Sequence, residues 1–179
     1  MGEILIFADK ERLKMKKLIS VLLMALGIIS CGFARKPKGE LSYCTYRCNG
    51  AAGLGTDYCE LIAPLDSVPE IVVVLNYDNR FGDQVIHRSY PVDRSVVDSL
   101  AEKLMKAKVY KLDGYEVNEP ICGGYSHSFD LKYSSGDKVH AFWYGHKIKD
   151  KALSAYYMIE NFFAPWRKMA KEDAKTNTL

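Results

Sequence analysis

Ser126-His-Ser-Phe-Asp-Leu-Lys-Tyr-Ser-Ser-Gly-Asp-Lys-Val-His-Ala-Phe-Trp-Tyr-Gly145 is the stretch on which the fold turns. Apolar and polar residues alternate on both sides of Ser134-Ser-Gly-Asp137. That is the period of a half-buried strand, interrupted by residues that favour a tight reversal. The pattern predicts an antiparallel hairpin of 126–133 with 138–145. With Ser135-Gly136 as a two-residue loop, Tyr133 faces Lys138. One side of the ribbon then carries His127, Phe129, Leu131, Tyr133, His140, Phe142 and Tyr144, and this is the expected core side.

Outward from the hairpin the same grammar repeats. Downstream, Asp150 can cap a helix in which Ala152, Ala155, Tyr156, Ile159, Phe162, Phe163 and Trp166 fall on one side. Pro165 should bend or end this helix, and the polar tail 169–179 should fray. Upstream, Glu70-Ile-Val-Val-Val-Leu-Asn-Tyr77 and Gln84–Tyr90 read as two strands around the turn cluster Asp78–Asp83. A helix follows, with Val96, Val97, Leu100, Ala101 and Leu104 as its stripe and Ser95 with Asp98 as a capping box. The first hairpin pairs 41–48 with 57–63 across the glycine-rich connection 49–56, which lacks the Lys and Ser/Thr of a phosphate-binding loop. The fold expected is α+β: an antiparallel sheet built from hairpins in the order ββ-ββα-ββα, with two helices packed on one face. The two ββα blocks match loosely at an offset of about 54–56 residues (Tyr77 with Tyr133, Val85 with Val139), as a duplication or a convergence would produce.

The N-terminus has a different character. Met15-Lys16-Lys17 precedes the apolar run Leu18–Ile29, too short to cross a bilayer core of ~30 Å but suited to a secretory signal. The run ends at Ile28-Ile29-Ser30-Cys31, which resembles the lipobox of bacterial lipoproteins. The resemblance implies that residues 1–30 are removed, with Met15 as the true start, and that Cys31 carries lipid at the mature N-terminus. It also implies that the protein is held to a membrane of the cell envelope, on the periplasmic side of the outer membrane. Residues 31–40 then read as a polar tether, 41–168 as a single domain. A second resemblance, carried by Val109-Tyr-Lys-Leu-Asp-Gly-Tyr115 and Gly124–Tyr133, is to a ββα-type pattern recurrent in uncharacterised bacterial proteins, to which no activity attaches.

Composition narrows the functions. The net charge of +3 comes from 25 basic and 22 acidic residues; removing the five basic and three acidic residues of 1–31 leaves 20 and 19. So nearly neutral a domain carries no electrostatic footprint for nucleic acid. Beyond Cys31 there are Cys44, Cys48, Cys59 and Cys122. An even count in an exported domain argues for disulfides. Cys44 and Cys48 on one strand lie ~13 Å apart, beyond bridging distance. With Gly50–Gly55 as the loop, Cys44 falls nearly opposite Cys59, so the expected pairs are Cys44–Cys59 and Cys48–Cys122, with Cys48–Cys59 and Cys44–Cys122 as the alternative. The competing use of the same residues is a Cys₄ zinc site near His127 or His146.

His87, His127, His140 and His146 are the histidines available for acid–base chemistry. His127 and His140, on one expected sheet face with Asp130 near, are the candidates for an enzyme site. Asp78 with Asp83 is a weak cation candidate, and Glu116 and Glu119 read as solvated loop charges. No nucleophile elbow, metalloprotease helix or calcium loop occurs. The function expected is a lipid-anchored, non-catalytic binding module without a cofactor. Its partner is an envelope protein or glycan, met through the open sheet face or the glycine-rich hairpin. The alternatives are a structural subunit of an outer-membrane complex and an envelope enzyme using His127 and His140.

Overall fold

The computed structural model describes residues 35–50, 56–77, 84–119 and 124–176. The signal segment, Cys31, the centre of the glycine-rich loop, the Asp78–Asp83 turn and Cys122 lie outside the described residues. The chain forms β1 (Leu41–Asn49), β2 (Thr56–Ile62), β3 (Glu70–Tyr77), β4 (Gln84–Pro91), α1 (Arg94–Lys106), a 3-10 turn (Val109–Leu112), β5 (Tyr115–Asn118), β6 (Ser126–Tyr133), β7 (Lys138–Tyr144) and α2 (Asp150–Thr176). The protein is therefore α+β, with one seven-stranded sheet in the order β4-β3-β2-β1-β6-β7-β5. Every neighbouring pair is antiparallel except β5, which runs parallel to β7.

β5 is absent from the sequence reading because its four residues offer only Tyr115 and Val117 as an apolar alternation, too little to distinguish a strand from a loop. It is held at both ends by backbone bonds to β7, Gly114 N–H to His140 O at 3.0 Å and Glu119 N–H to Tyr144 O at 3.0 Å.

The β6–β7 turn departs from the expectation by one residue. Gly136 N–H donates to Tyr133 O at 2.9 Å, Tyr133 N–H donates to Asp137 O at 3.0 Å, and Gly136 has φ +88°. This is a three-residue loop, Ser134-Ser135-Gly136, ending in a left-handed bulge residue. Lys132 therefore faces Lys138, and His127 faces Trp143. A one-residue slip moves a whole strand's side chains to the other face. The core side of β7 is accordingly Val139, Ala141 and Trp143, all buried, and not His140, Phe142 and Tyr144. On β6 the expected core residues Phe129, Leu131 and Tyr133 are indeed buried.

The register carries this face across the sheet: Cys44 and Tyr46 on β1, Cys59 and Leu61 on β2, Ile71, Val73 and Leu75 on β3. These join Val97, Leu100 and Leu104 of α1 and Ala155, Tyr156, Ile159 and Phe163 of α2 in one buried cluster. The opposite face is a polar lattice. Tyr43 donates to Glu60 at 2.9 Å, Arg47 pairs with Glu60 at 3.5 Å, and Lys132 lies 4.5 Å from the Tyr43 ring centre.

Three helix and boundary expectations are corrected. α1 starts at Arg94 with Asp93 at its N-cap position and no side-chain capping bond, so Ser95 is already inside the helix and the Ser95–Asp98 box does not form. Arg94 instead ties the helix start to the β2–β3 connection through the carbonyls of Ala63, Pro64 and Ser67. α2 continues through Pro165 to Thr176, although proline removes a helix donor and crowds the carbonyl four residues earlier. Tertiary contacts hold the distal turns: Ala170 is fully buried, and Tyr90 of β4 donates to Asp173 at 2.7 Å. The end of the expected tether is not free. Lys38 N–H donates to Asp137 at 2.7 Å, Ser135 Oγ to Lys38 O at 2.6 Å and Ser134 N–H to Glu40 O at 2.8 Å, with Pro37 buried beneath. The chain from Pro37 onward belongs to the domain.

The left-handed positions give a paired stability prediction. A methyl group at Gly136 meets nothing within 4 Å, so Gly136→Ala should cost only the conformational term, about 1–2 kcal/mol. Lys108 holds the same region without glycine, at φ 53°, where it ends α1. Lys108→Gly should gain up to about 1 kcal/mol. Urea denaturation of the two variants should move the midpoint in opposite directions; an unchanged Gly136→Ala midpoint would refute the bulge.

Candidate functional site

The Ser126–Tyr144 end of β6 and β7, far from their turn, opens into a cleft of about 500 Å³ against the first turns of α2. Its walls are aromatic. The His127 ring stacks on Trp143 (centroids 5.5 Å apart, planes at 25°), and Tyr156 meets both edge-on, at 4.7 Å and 5.3 Å. Tyr125 leans toward His127 at 6.5 Å, and Tyr157 packs on Tyr156 at 5.4 Å. Trp143 is fully buried, whereas Tyr125 and Tyr157 at the rim are 55% and 51% exposed. The positions follow from local structure. The corrected register turns His127 and Trp143 inward together, and the helical spacing of Ala152, Tyr156 and Glu160 brings the last two to the same cleft.

Beneath the aromatic wall runs a polar chain. The hydroxyls of Tyr46 and Tyr156 share a hydrogen bond at 2.7 Å, and Tyr46 also donates to Glu160 at 3.3 Å. Arg167 spans Glu160 at 3.4 Å and Asp57 at 3.5 Å, and Asp57 accepts the Asn76 N–H at 2.7 Å. Burial, reinforced by Tyr156 and Glu160, pushes the Tyr46 hydroxyl up; burial with Glu160 outweighs the opposing pull of the Tyr46 hydrogen bond and of Arg167 and pushes the Tyr156 hydroxyl up to about 12. Burial alone would lower the Arg167 pKa. Tyr46, Cys59, Asp57 and Glu160 around it together hold it above its ordinary value.

His127 breaks the rule that buried polar atoms are paired. Its Nδ1 is shut from solvent and has no hydrogen-bond partner among the described residues. Burial lowers its pKa, with Glu160 pulling weakly the other way, so the ring is neutral at pH 7. Such an orphan costs about 1–3 kcal/mol.

The cleft's mouth is fixed by Glu119. Its carboxylate accepts the N–H of His146 at 2.7 Å and of Lys147 at 3.4 Å, and these bonds, the His146 amide foremost, hold it below the usual carboxylate range. Gly145, at φ +114°, passes so close that a Cβ would collide with the Glu119 side chain. Glu119 is thus a loop clamp rather than a solvated charge; Glu116 is exposed on β5.

The sequence candidates separate. His127 and His140 do not share a face: the three-residue turn puts His140 on the polar side, where its Nδ1 meets Asp130 at 2.6 Å across the strand pair. His146 joins His127 in lining the cleft, and His87 lies on β4 opposite Val74. Cys44 lies opposite Leu61, and Cys59 opposite Tyr46, so the expected Cys44–Cys59 opposition is displaced by two residues. The connection is the expected Gly50–Gly55, and the Asn49–Thr56 pair that flanks it itself sets Cys44 opposite Leu61. Cys44, Cys48 and Cys59 are free thiols here, and burial raises all three, Cys59 to about 12, which disfavours the thiolate. Cys48 lies directly across from His127. Among the described residues no three His, Cys, Asp or Glu side chains converge on a metal-sized site, and no helix is long and apolar enough to cross a membrane. The sequence matches no protein-family model and no curated protein.

The orphan nitrogen generates a test. The unfolded chain protonates His127 near pH 6.5, the folded chain only at lower pH. The unfolded state therefore binds more protons below that value, and stability falls as pH drops through it. The denaturation midpoint should be lower at pH 5.5 than at 7.5, with His127→Phe shrinking that difference. At pH 7.5 His127→Phe should be neutral or stabilising; a loss above about 2 kcal/mol would mean the ring is hydrogen-bonded after all.

Proposed function

We propose that this chain is the precursor of a lipid-anchored cell-envelope protein, held through Cys31, whose domain is a non-catalytic binding module with the aromatic cleft as its ligand site. The observation that carries the second half is the His127 ring, kept in the cleft wall with a buried nitrogen that has no partner among the described residues, beside two half-exposed tyrosines. A core selected for stability alone would favour Phe at that position. Departures from local consistency of this kind concentrate at functional sites. The first half rests on Met15-Lys16-Lys17, the short apolar run and Ile28-Ile29-Ser30-Cys31. With both helices packed against the Cys44–Trp143 face of the sheet, the polar face stays open as a second contact surface.

The enzyme reading has one observation in its favour, the His140–Asp130 pair, in which a carboxylate orients an imidazole. Its neighbour Thr45 is fully buried and already donates its hydroxyl proton to Cys59 O at 3.2 Å, so that proton is not offered to the pair. The binding reading is therefore preferred.

Expression of the full chain in a bacterial host with an alkyne-tagged fatty acid should label the wild type and not Cys31→Ser. The unlabelled variant should retain residues 1–30 by intact mass. Equal labelling of both would end the anchor assignment.

A further inference from the structure

We infer that the ligand of the aromatic cleft is a neutral saccharide, seated with the C–H face of a sugar ring on the rim tyrosines and its hydroxyls turned toward the polar atoms of the cleft. This rests on the binding-module reading above and names its ligand class.

The cleft's chemistry selects among ligand classes. Its walls combine exposed aromatic surface, Tyr125 and Tyr157, with a packed second layer, His127, Trp143 and Tyr156. Ring faces are electron-rich and attract weakly polarised C–H groups as well as cations. A cationic guest would look for the carboxylate, but Glu160 already pairs with Arg167 at 3.4 Å and accepts from Tyr46. Such a guest would compete with a guanidinium fixed in place by Asp57 as well. An anionic guest finds no Lys or Arg among the described residues that line the cleft: Arg167 lies outside the lining, the imidazoles of His127 and His146 are the basic groups there, and burial disfavours the charged form of His127. A purely apolar guest would strand the polar edges of His127, Glu160 and the tyrosine hydroxyls, which is costly in a desolvated site. A sugar ring meets all of these conditions, being uncharged, apolar on one face and rich in hydroxyls around its edge. Hydroxyls both donate and accept, so they suit a neutral imidazole and a carboxylate with one oxygen engaged. A volume of about 500 Å³ falls in the range of small-molecule sites.

The test uses the full mature protein, extracted in a detergent without a sugar head group and carrying Trp166→Phe, which leaves Trp143 as the single indole. The probes are neutral oligosaccharides (gluco-, manno-, galacto- and N-acetylglucosamine series), with choline, adenosine and decanoate as representatives of the rival chemistries. The expected result is a saturable change in Trp143 fluorescence with at least one saccharide series and none with the other three. Tyr125→Ala and Tyr157→Ala should each weaken that binding by about tenfold without moving the denaturation midpoint, because both side chains are half exposed. If no saccharide binds but choline, adenosine or decanoate saturates the same signal and is lost in Tyr125→Ala, the saccharide inference is overturned and the cleft stands as a binding site. If no probe of any class changes the signal, both the saccharide inference and the cleft reading fall. Saccharide binding that survives both tyrosine substitutions also overturns the inference, since it would place the sugar elsewhere.

Discussion

Gly136 holds the backbone in a conformation that other residues adopt only with strain, and the organisation of half the molecule follows from it. Because the turn takes three residues, β7 enters the sheet with Val139, Ala141 and Trp143 facing the core. With a two-residue loop the same strand would present His140, Phe142 and Tyr144 to the helices and expose an indole. The turn thus decides that His127 stacks on Trp143, that His140 meets Asp130 in solvent, and that a cleft lined with rings exists at all. Gly136 has no close neighbours, so its role is conformational and not steric.

What the turn establishes, α2 completes. The helix contributes Ala152, Ala155, Ile159 and Phe163 to the core, and from the adjoining stripe Tyr156, Glu160 and Arg167. The buried Tyr46–Tyr156 contact links the central strand to this helix, and Arg167 closes the chain back to Asp57 at the start of β2. Partly buried ion pairs of this kind seldom add much net stability against an apolar replacement, because desolvation offsets much of the attraction. Their effect here is geometric, since they fix the rotation of α2 about its axis and so aim Tyr156 and Glu160 at the cleft.

Much of this was legible in the residues. β3 and β6 fall where alternation and turn residues put them, and the stripes of both helices face the core as their spacing selects, with Val96, Ala101, Phe162 and Trp166 only partly buried at the edges. These features depend on local periodicity, which a sequence states directly. The failures share another cause. The two-residue reading of Ser135-Gly136, the opposition of Cys44 and Cys59 and the stop at Pro165 each hinge on a shift of one or two residues or on contacts from distant elements. Tyr90 with Asp173 is a pairing across 83 residues. The aromatic cleft was missed because Tyr125, His127, Trp143 and Tyr157 come from three segments whose meeting is set by register. The one local trace was polar: Glu160 and Arg167 border the apolar stripe of α2 beside Tyr156, and charges that flank a buried stripe warrant the question of what they neutralise.

The lashing of Pro37–Glu40 onto the β6–β7 turn gives the domain a direction. Lys38 and Glu40 are bound at Ser134–Asp137, while the cleft opens beside His127 and Gly145, at the other end of the same two strands. The length of β6 separates the two, roughly 25 Å at the rise of an extended chain. Within the domain, the segment where the chain enters and the recess that would receive a guest therefore lie at opposite ends of one hairpin, so neither is built from the other's residues.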